Sequence, residues 1–124
     1  MSANVRYIVN NVEDAIAFYK DKLGFKIDMH PAPGFAALSK DDLVLFLNQP
    51  GAGGAGATMA DGTIPAPGGW NRFQLVTNDL EKLVKDLKGK GASFRNEIIS
   101  GVGGKQALLQ DPSGNLIELF EAKK

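Results

Sequence analysis

The chain contains no cysteine and a single histidine, His30, in 124 residues. Without cysteine there are no disulfides, no thiolate metal sites and no cysteine nucleophile. With one histidine, a two-histidine, one-carboxylate iron site cannot be assembled within one chain. A surplus of charge is missing too. Fourteen basic residues balance fourteen acidic ones, so no net field draws the protein to nucleic acid or to an anionic membrane. Long apolar runs are absent: stretches such as LVLFL (residues 43–47) fall far short of the roughly 20 residues that span a bilayer. The N-terminal stretch passes directly into strand-like VRYIV, with no basic and then apolar leader pattern. The expectation is a cytoplasmic protein with no nucleic-acid or membrane partner. Its 44% apolar and 23% charged content suits one ordinary globular domain with one core.

Glycine, by contrast, is plentiful, with 15 residues. In GAGGAG, Gly51, Gly53 and Gly56 fit the G-x-G-x-x-G spacing that cradles phosphates. That chemistry needs a strand before the glycines and a helix after them, because the helix N-terminus carries the pyrophosphate. LVLFL supplies the strand. The following ATMADGTIPAPGG holds Pro65, Pro67, Gly62, Gly68 and Gly69, which break helices. The stretch therefore reads as a long mobile connection. A loop of about twenty residues often covers a site, so it is a candidate lid.

The two sides of this connection repeat one design. The first reads VRYIV, then NNVEDAIAFYKDKLGFKID; the second reads NRFQLVT, then NDLEKLVKDLKGKGASFRNE. At an offset of 68, Val12 matches Leu80, Glu13 matches Glu81, Ile16 matches Val84 and Tyr19 matches Leu87. Val12, Ile16, Tyr19 and Leu23 recur at helical spacing, as do Leu80, Leu83, Val84 and Leu87, so each helix buries one face. Asn10 or Asn11 can cap the first helix and Asn78 or Asp79 the second. Gly24 can stop the first and Gly89 or Gly91 the second. Strands are expected at 25–30, 35–39, 43–48, 93–98, 105–110 and 115–121, and DPSG (111–114) reads as a type I turn. The predicted fold class is α+β, with two tandem βαβββ modules. The first spans 1–49, the connection 50–69 and the second 70–124. Tyr7, Phe18, Tyr19 and Phe25 read as core. The lysines at 20, 22, 82, 85, 88 and 90, interleaved with acids, read as solvated helix faces.

Three segments, VEDAIAFYKDKLGFK, GGWNRFQLVTNDLEKLVKDLKGKGASFRNE and LLQDPSGNLIELFE, resemble the vicinal oxygen chelate superfamily, the glyoxalase/bleomycin-resistance/dioxygenase group. The resemblance covers essentially the whole chain. It implies sheets curled around a shared cavity, with two short chains commonly pairing as a homodimer. The superfamily includes metal-dependent isomerases and lyases, extradiol dioxygenases, thiol transferases and metal-free antibiotic-sequestering proteins. Fold alone does not choose among them.

The metal-dependent relatives place His, Gln or Glu ligands on the first and last strands of each module. Carried over, those positions fall on Asn4, on Phe46 within one residue, on Arg72 and on Glu118. Only Glu118 matches, and an arginine beside it repels a cation. No metal or other cofactor is therefore expected, although a divalent ion at Glu118 is the alternative to test. Strand alternation turns Val5, Tyr7 and Val9 under the helix and leaves Asn4, Arg6 and Ile8 toward the cavity. By the same rule Phe73, Leu75 and Thr77 are core and Arg72, Gln74 and Val76 face the cavity. On the last strand Ile117 and Leu119 are core, and Leu116, Glu118 and Phe120 face the cavity. The candidate ligand-binding set is Asn4, Arg6, Phe46, Asn48, Trp70, Arg72, Gln74, Glu118 and Phe120.

Two arrangements follow for the polar members. Arg72 or Arg6 pairs with Glu118, or one arginine is left to fork onto a ligand carboxylate or phosphate; the two can coexist. Glu118 is the one candidate general base. The function expected is a glyoxalase-like protein without the metal, binding a small polar or anionic organic molecule. The alternatives are a metal-dependent glyoxalase-type lyase or isomerase and an antibiotic-sequestering protein of the bleomycin-resistance type.

Overall fold

Both amphipathic stretches become helices, and both are held at their ends by the residue chemistry expected of them. In the computed structural model, which describes residues 1–124, the chain forms two compact units, Met1–Gly68 and Gly69–Lys124.

The first unit runs β1 (Val5–Ile8), α1 (Val12–Leu23), β2 (Lys26–Ala32), β3 (Phe35–Lys40), β4 (Leu43–Asn48) and a one-turn helix, α2 (Gly53–Gly56). Asn11 caps α1: its side chain accepts from the Asp14 N–H at 2.9 Å. Gly24 ends it in the left-handed conformation, at φ 76°, where a Cβ would be strained. The buried stripe of α1 is Val12, Ala15, Ile16, Phe18, Tyr19 and Leu23. Tyr19, fully buried, meets Phe18 and Phe25 edge-on, with ring centroids 5.1 and 5.4 Å apart. Burying a large apolar side chain of this kind contributes about 1.5–3 kcal/mol. The sheet order is β1-β4-β3-β2. β1 and β4 are parallel, and the other pairs antiparallel.

Two features of this unit depart from the sequence reading. β2 does not stop at His30 but continues through Pro31 to Ala32, with irregular register against β3. It can do so because it is the outer strand, where a proline's missing N–H breaks no ladder. The glycine run is also not an open loop. Residues 53–56 form a helical turn, and a Cβ on buried Gly56 would run into the Gln49 carbonyl. Close backbone packing explains the absence of a side chain there. Within the expected connection, residues 50–52 and 57–69 lack helix or strand.

The second unit runs β5 (Phe73–Val76), α3 (Leu80–Gly89), β6 (Ser93–Phe94), β7 (Ile99–Ser100), β8 (Gly104–Gln110) and β9 (Leu116–Ala122). Its sheet order is β5-β9-β8-β6, with β7 also pairing β8, and β5 is parallel to β9. Asp79 caps α3 by accepting from the Lys82 N–H at 3.2 Å. Of the expected strand 93–98 only Ser93–Phe94 forms, as β6, and β7 begins just beyond it at Ile99. Asn96, between them, instead accepts from the Leu108 N–H at 2.9 Å, which replaces a ladder bond with a side-chain bond. In the DPSG turn, Asp111 is buried. Its Oδ1 accepts from the Ser113 and Asn115 N–H groups, both at 2.9 Å, and its Oδ2 from the Asn115 amide at 3.0 Å. Gly114 closes the turn at φ 86°. The architecture is α+β with two mixed, unclosed sheets. No helix is long and apolar enough to cross a membrane.

Candidate functional site

Each parallel strand pair carries a polar row on the face turned away from its helix. In the first unit, Arg6 stands opposite Phe46 and Ile8 opposite Asn48. Tyr7 and Val9, on the other face, are buried with Leu45 and Leu47. In the second unit, Gln74 stands opposite Glu118 and Val76 opposite Phe120. Phe73, Ile117 and Leu119 pack on the other face. The alternation expected from sequence holds in part. Val5, Leu75 and Thr77, expected in the core, are only half-buried, and Leu116, expected on the open face, is buried; it lies opposite Gln110 at the end of the β8–β9 ladder, next to the closed Asp111 turn.

The two rows differ in how their arginines are used. Arg72 Nε and Nη2 both donate to Glu118 Oε1, at 3.0 and 2.9 Å, and Nη1 donates to the Trp70 carbonyl at 3.3 Å. Gln74 Nε2 donates to the other carboxylate oxygen, Oε2, at 2.6 Å. The Arg72 and Glu118 side chains are 28% and 14% exposed. The pair is thus partly withdrawn from water, where a charge-assisted bond is worth more than at an open surface. Both oxygens of Glu118 hold Arg72 and Gln74 in place, which leaves the general-base role without a geometric argument.

Arg6 has no carboxylate. Its Nε donates to Asn48 Oδ1 at 3.0 Å, and its guanidinium lies over the Phe46 ring, 4.9 Å from the centroid. Asn48 is buried, and its amide donates to the Ala52 carbonyl at 3.3 Å. These groups border a pocket of about 310 Å³ lined by Arg6, Ala32, Gly34, Phe35, Asn48 and residues 52–55. Asn4 is exposed and precedes β1. Trp70 is 62% exposed. It stacks with Arg95, whose guanidinium carbon lies 4.4 Å from the ring centroid. Arg95 was not anticipated; it lies in the stretch expected to be a plain strand, and an isolated arginine there gives no sequence signal. His30 is exposed on β2.

The donor set does not fit the metal of the metal-dependent relatives. Of the four positions, Asn4, Phe46, Arg72 and Glu118, only Glu118 is anionic, and a guanidinium occupies it. No three His, Asp or Glu side chains gather anywhere as a set.

Two mixed sheets, each with a parallel pair flanked by antiparallel strands and a helix on one face, define a βαβββ duplicate. The chain belongs to the Glyoxalase/Bleomycin resistance protein/Dioxygenase superfamily, whose family model matches residues 3–119. Solved structures agree in fold. A superfamily member from Sphaerobacter thermophilus DSM 20745 is 26% identical, with 98% of this chain and 97% of that one covered and a TM-score of 0.76. A lactoylglutathione lyase from Agrobacterium tumefaciens is 17% identical, with 97% and 92% covered and a TM-score of 0.74. TnmS3, an antibiotic binding protein from Streptomyces sp. CB03234, is 23% identical, with 99% and 98% covered and a TM-score of 0.70. No curated protein matches the chain in sequence.

Proposed function

We propose that this protein is a metal-independent, glyoxalase-like binder of small polar or anionic organic molecules, working as a cytoplasmic homodimer. The observation that carries this reading is the Arg72–Glu118–Gln74 cluster. The one carboxylate at a metal-ligand position is neutralised by a fixed cation, so the open sheet faces offer guanidinium and amide donors in place of an ion. Such donors recognise carboxylates and polar oxygens directly. Phe46 in the first unit, and separately Phe120 and Trp70 in the second, supply the apolar contact area that small-molecule sites need.

A second reading, antibiotic sequestration, draws support from Trp70. Its exposed indole, backed by Arg95, is a flat surface on which a planar ligand can stack. TnmS3 has the same fold and binds an antibiotic; a net-cationic antibiotic suits the arginines poorly.

The test is elemental analysis of the purified protein, followed by thermal-shift screening against small carboxylates, neutral polar compounds and planar antibiotics. The expected result is no stoichiometric divalent metal and stabilisation by carboxylates. Stoichiometric zinc, nickel, manganese or iron in protein that turns over the methylglyoxal–glutathione adduct would overturn the reading in favour of a metal-dependent lyase.

A further inference from the structure

Arg72 and Arg6 are both on open sheet faces, yet Arg72 makes three hydrogen bonds with its five N–H donors and Arg6 only one. Arg72 spends Nε and Nη2 on Glu118 and Nη1 on the Trp70 carbonyl. Arg6 spends Nε on Asn48 and is in no ion pair. Its two terminal nitrogens are therefore the open edge of the fork.

That edge is held in a fixed orientation from two sides. Phe46 lies against the guanidinium plane, and Phe35 leans on Phe46 with centroids 6.0 Å apart. Asn48 is locked in turn, since its oxygen takes Arg6 and its amide holds the Ala52 carbonyl beside the glycine turn. A braced guanidinium loses less freedom on binding an anion than a loose one.

The rest of the pocket narrows the ligand. Apart from Arg6, its lining contains no ionisable side chain, and Ala32, Gly34, Ala52 and Gly53 keep its walls small and apolar. One positive charge with no second cation balances a monoanion and leaves a dianion half compensated. A volume of about 310 Å³ lies at the lower end of ligand sites, which run from about 300 to 1,000 Å³.

We propose that the Arg6–Asn48–Phe35 pocket of the first unit binds a compact monocarboxylate, end-on across the two terminal nitrogens of Arg6, with Asn48 as the positioning residue. The proposal rests on the small-molecule reading above and names the ligand class for one part of it.

The experiment is an amide NMR titration of the whole protein with isobutyrate, isobutyramide and inorganic phosphate at constant ionic strength. Isobutyrate is expected to shift the amides of Arg6, Gly34, Asn48 and Ala52. Isobutyramide and phosphate should each bind roughly tenfold more weakly, as loss of a charge-assisted fork implies. Arg6→Gln should remove isobutyrate binding while keeping a dispersed spectrum. Arg6→Lys should recover only part of it, because an ammonium keeps the charge without the fork. Asn48→Asp, which sets a competing carboxylate against Nε, should also abolish it. Lys82→Gln, on the exposed face of α3 in the second unit, should change nothing. Phosphate binding as tightly as isobutyrate, or full binding by Arg6→Gln, would overturn the assignment. Shifts confined to Gln74, Glu118 and Phe120 would also overturn it, while leaving small-molecule binding itself intact.

Discussion

The first and second units share a plan and differ in its polar row. Each has a parallel strand pair, a capped helix with a buried stripe, and antiparallel strands beyond. Yet the second unit closes its arginine onto a carboxylate, and the first leaves its arginine facing a pocket. Positions that build the core are constrained by burial and recur in both halves. Positions on the open face are free to change chemistry without unfolding the unit. The second unit also has the more polar interior, because its Asp111 turn buries a carboxylate while the corresponding β3–β4 turn of the first unit exposes Asp41 and Asp42.

The largest effect is expected at that buried turn. Asp111→Ala removes an acceptor from two backbone N–H groups and one side-chain amide. The loss should be about 3 kcal/mol, given roughly 1–3 kcal/mol for each buried donor left unmatched and partial relaxation. Urea unfolding monitored by circular dichroism would measure it, and a loss below about 1 kcal/mol would show that the turn is held by its backbone alone.

A smaller and more pointed test compares the arginines. Arg72→Ala leaves a partly buried Glu118 with only Gln74 and should cost about 1–2 kcal/mol of stability. Arg6→Ala breaks one hydrogen bond at an exposed side chain and should cost about 0.5 kcal/mol, its main effect falling on ligand binding. Equal losses in the two unfolding curves would erase the distinction between a structural and a functional arginine.

The smallest effect concerns the outer face of α3. The Lys82 ammonium donates to Asp86 at 2.8 Å, holding the Asp86 carboxyl below the ordinary aspartate range and raising Lys82. A carboxyl lowered in the folded state favours folding above its unfolded pKa, and that contribution fades as pH falls through the folded value. Asp86→Asn should therefore flatten a slight acid-side decline in stability, and added salt should weaken the effect because the pair lies at the solvent-exposed surface. An unchanged acid limb in pH-dependent melting would exclude any contribution from this pair.

Much of this was legible in the residues. Helical spacing at Val12, Ile16, Tyr19 and Leu23, the caps at Asn11 and Asp79, and the stop at Gly24 follow from local rules that act within a few residues. The strand faces followed from alternation, because period-two patterns survive whatever the sheet packs against. The errors fell where a neighbour in space overrode the local pattern. β2 runs through Pro31 because it is an edge. Strand 93–98 breaks because Asn96 bonds to Leu108. GAGGAG forms a turn because Gly56 must pass against the Gln49 carbonyl.

The sequence alone determined the duplicated βαβββ plan, the family and the lack of a matching ligand set beside Glu118, since residue type and short-range spacing decide all three. Which arginine would be neutralised and which left open was not written in any local pattern. Arg72 meets Glu118 across 46 positions and Arg6 meets Asn48 across 42, and only a folded sheet brings side chains so far apart in the chain into hydrogen-bond contact.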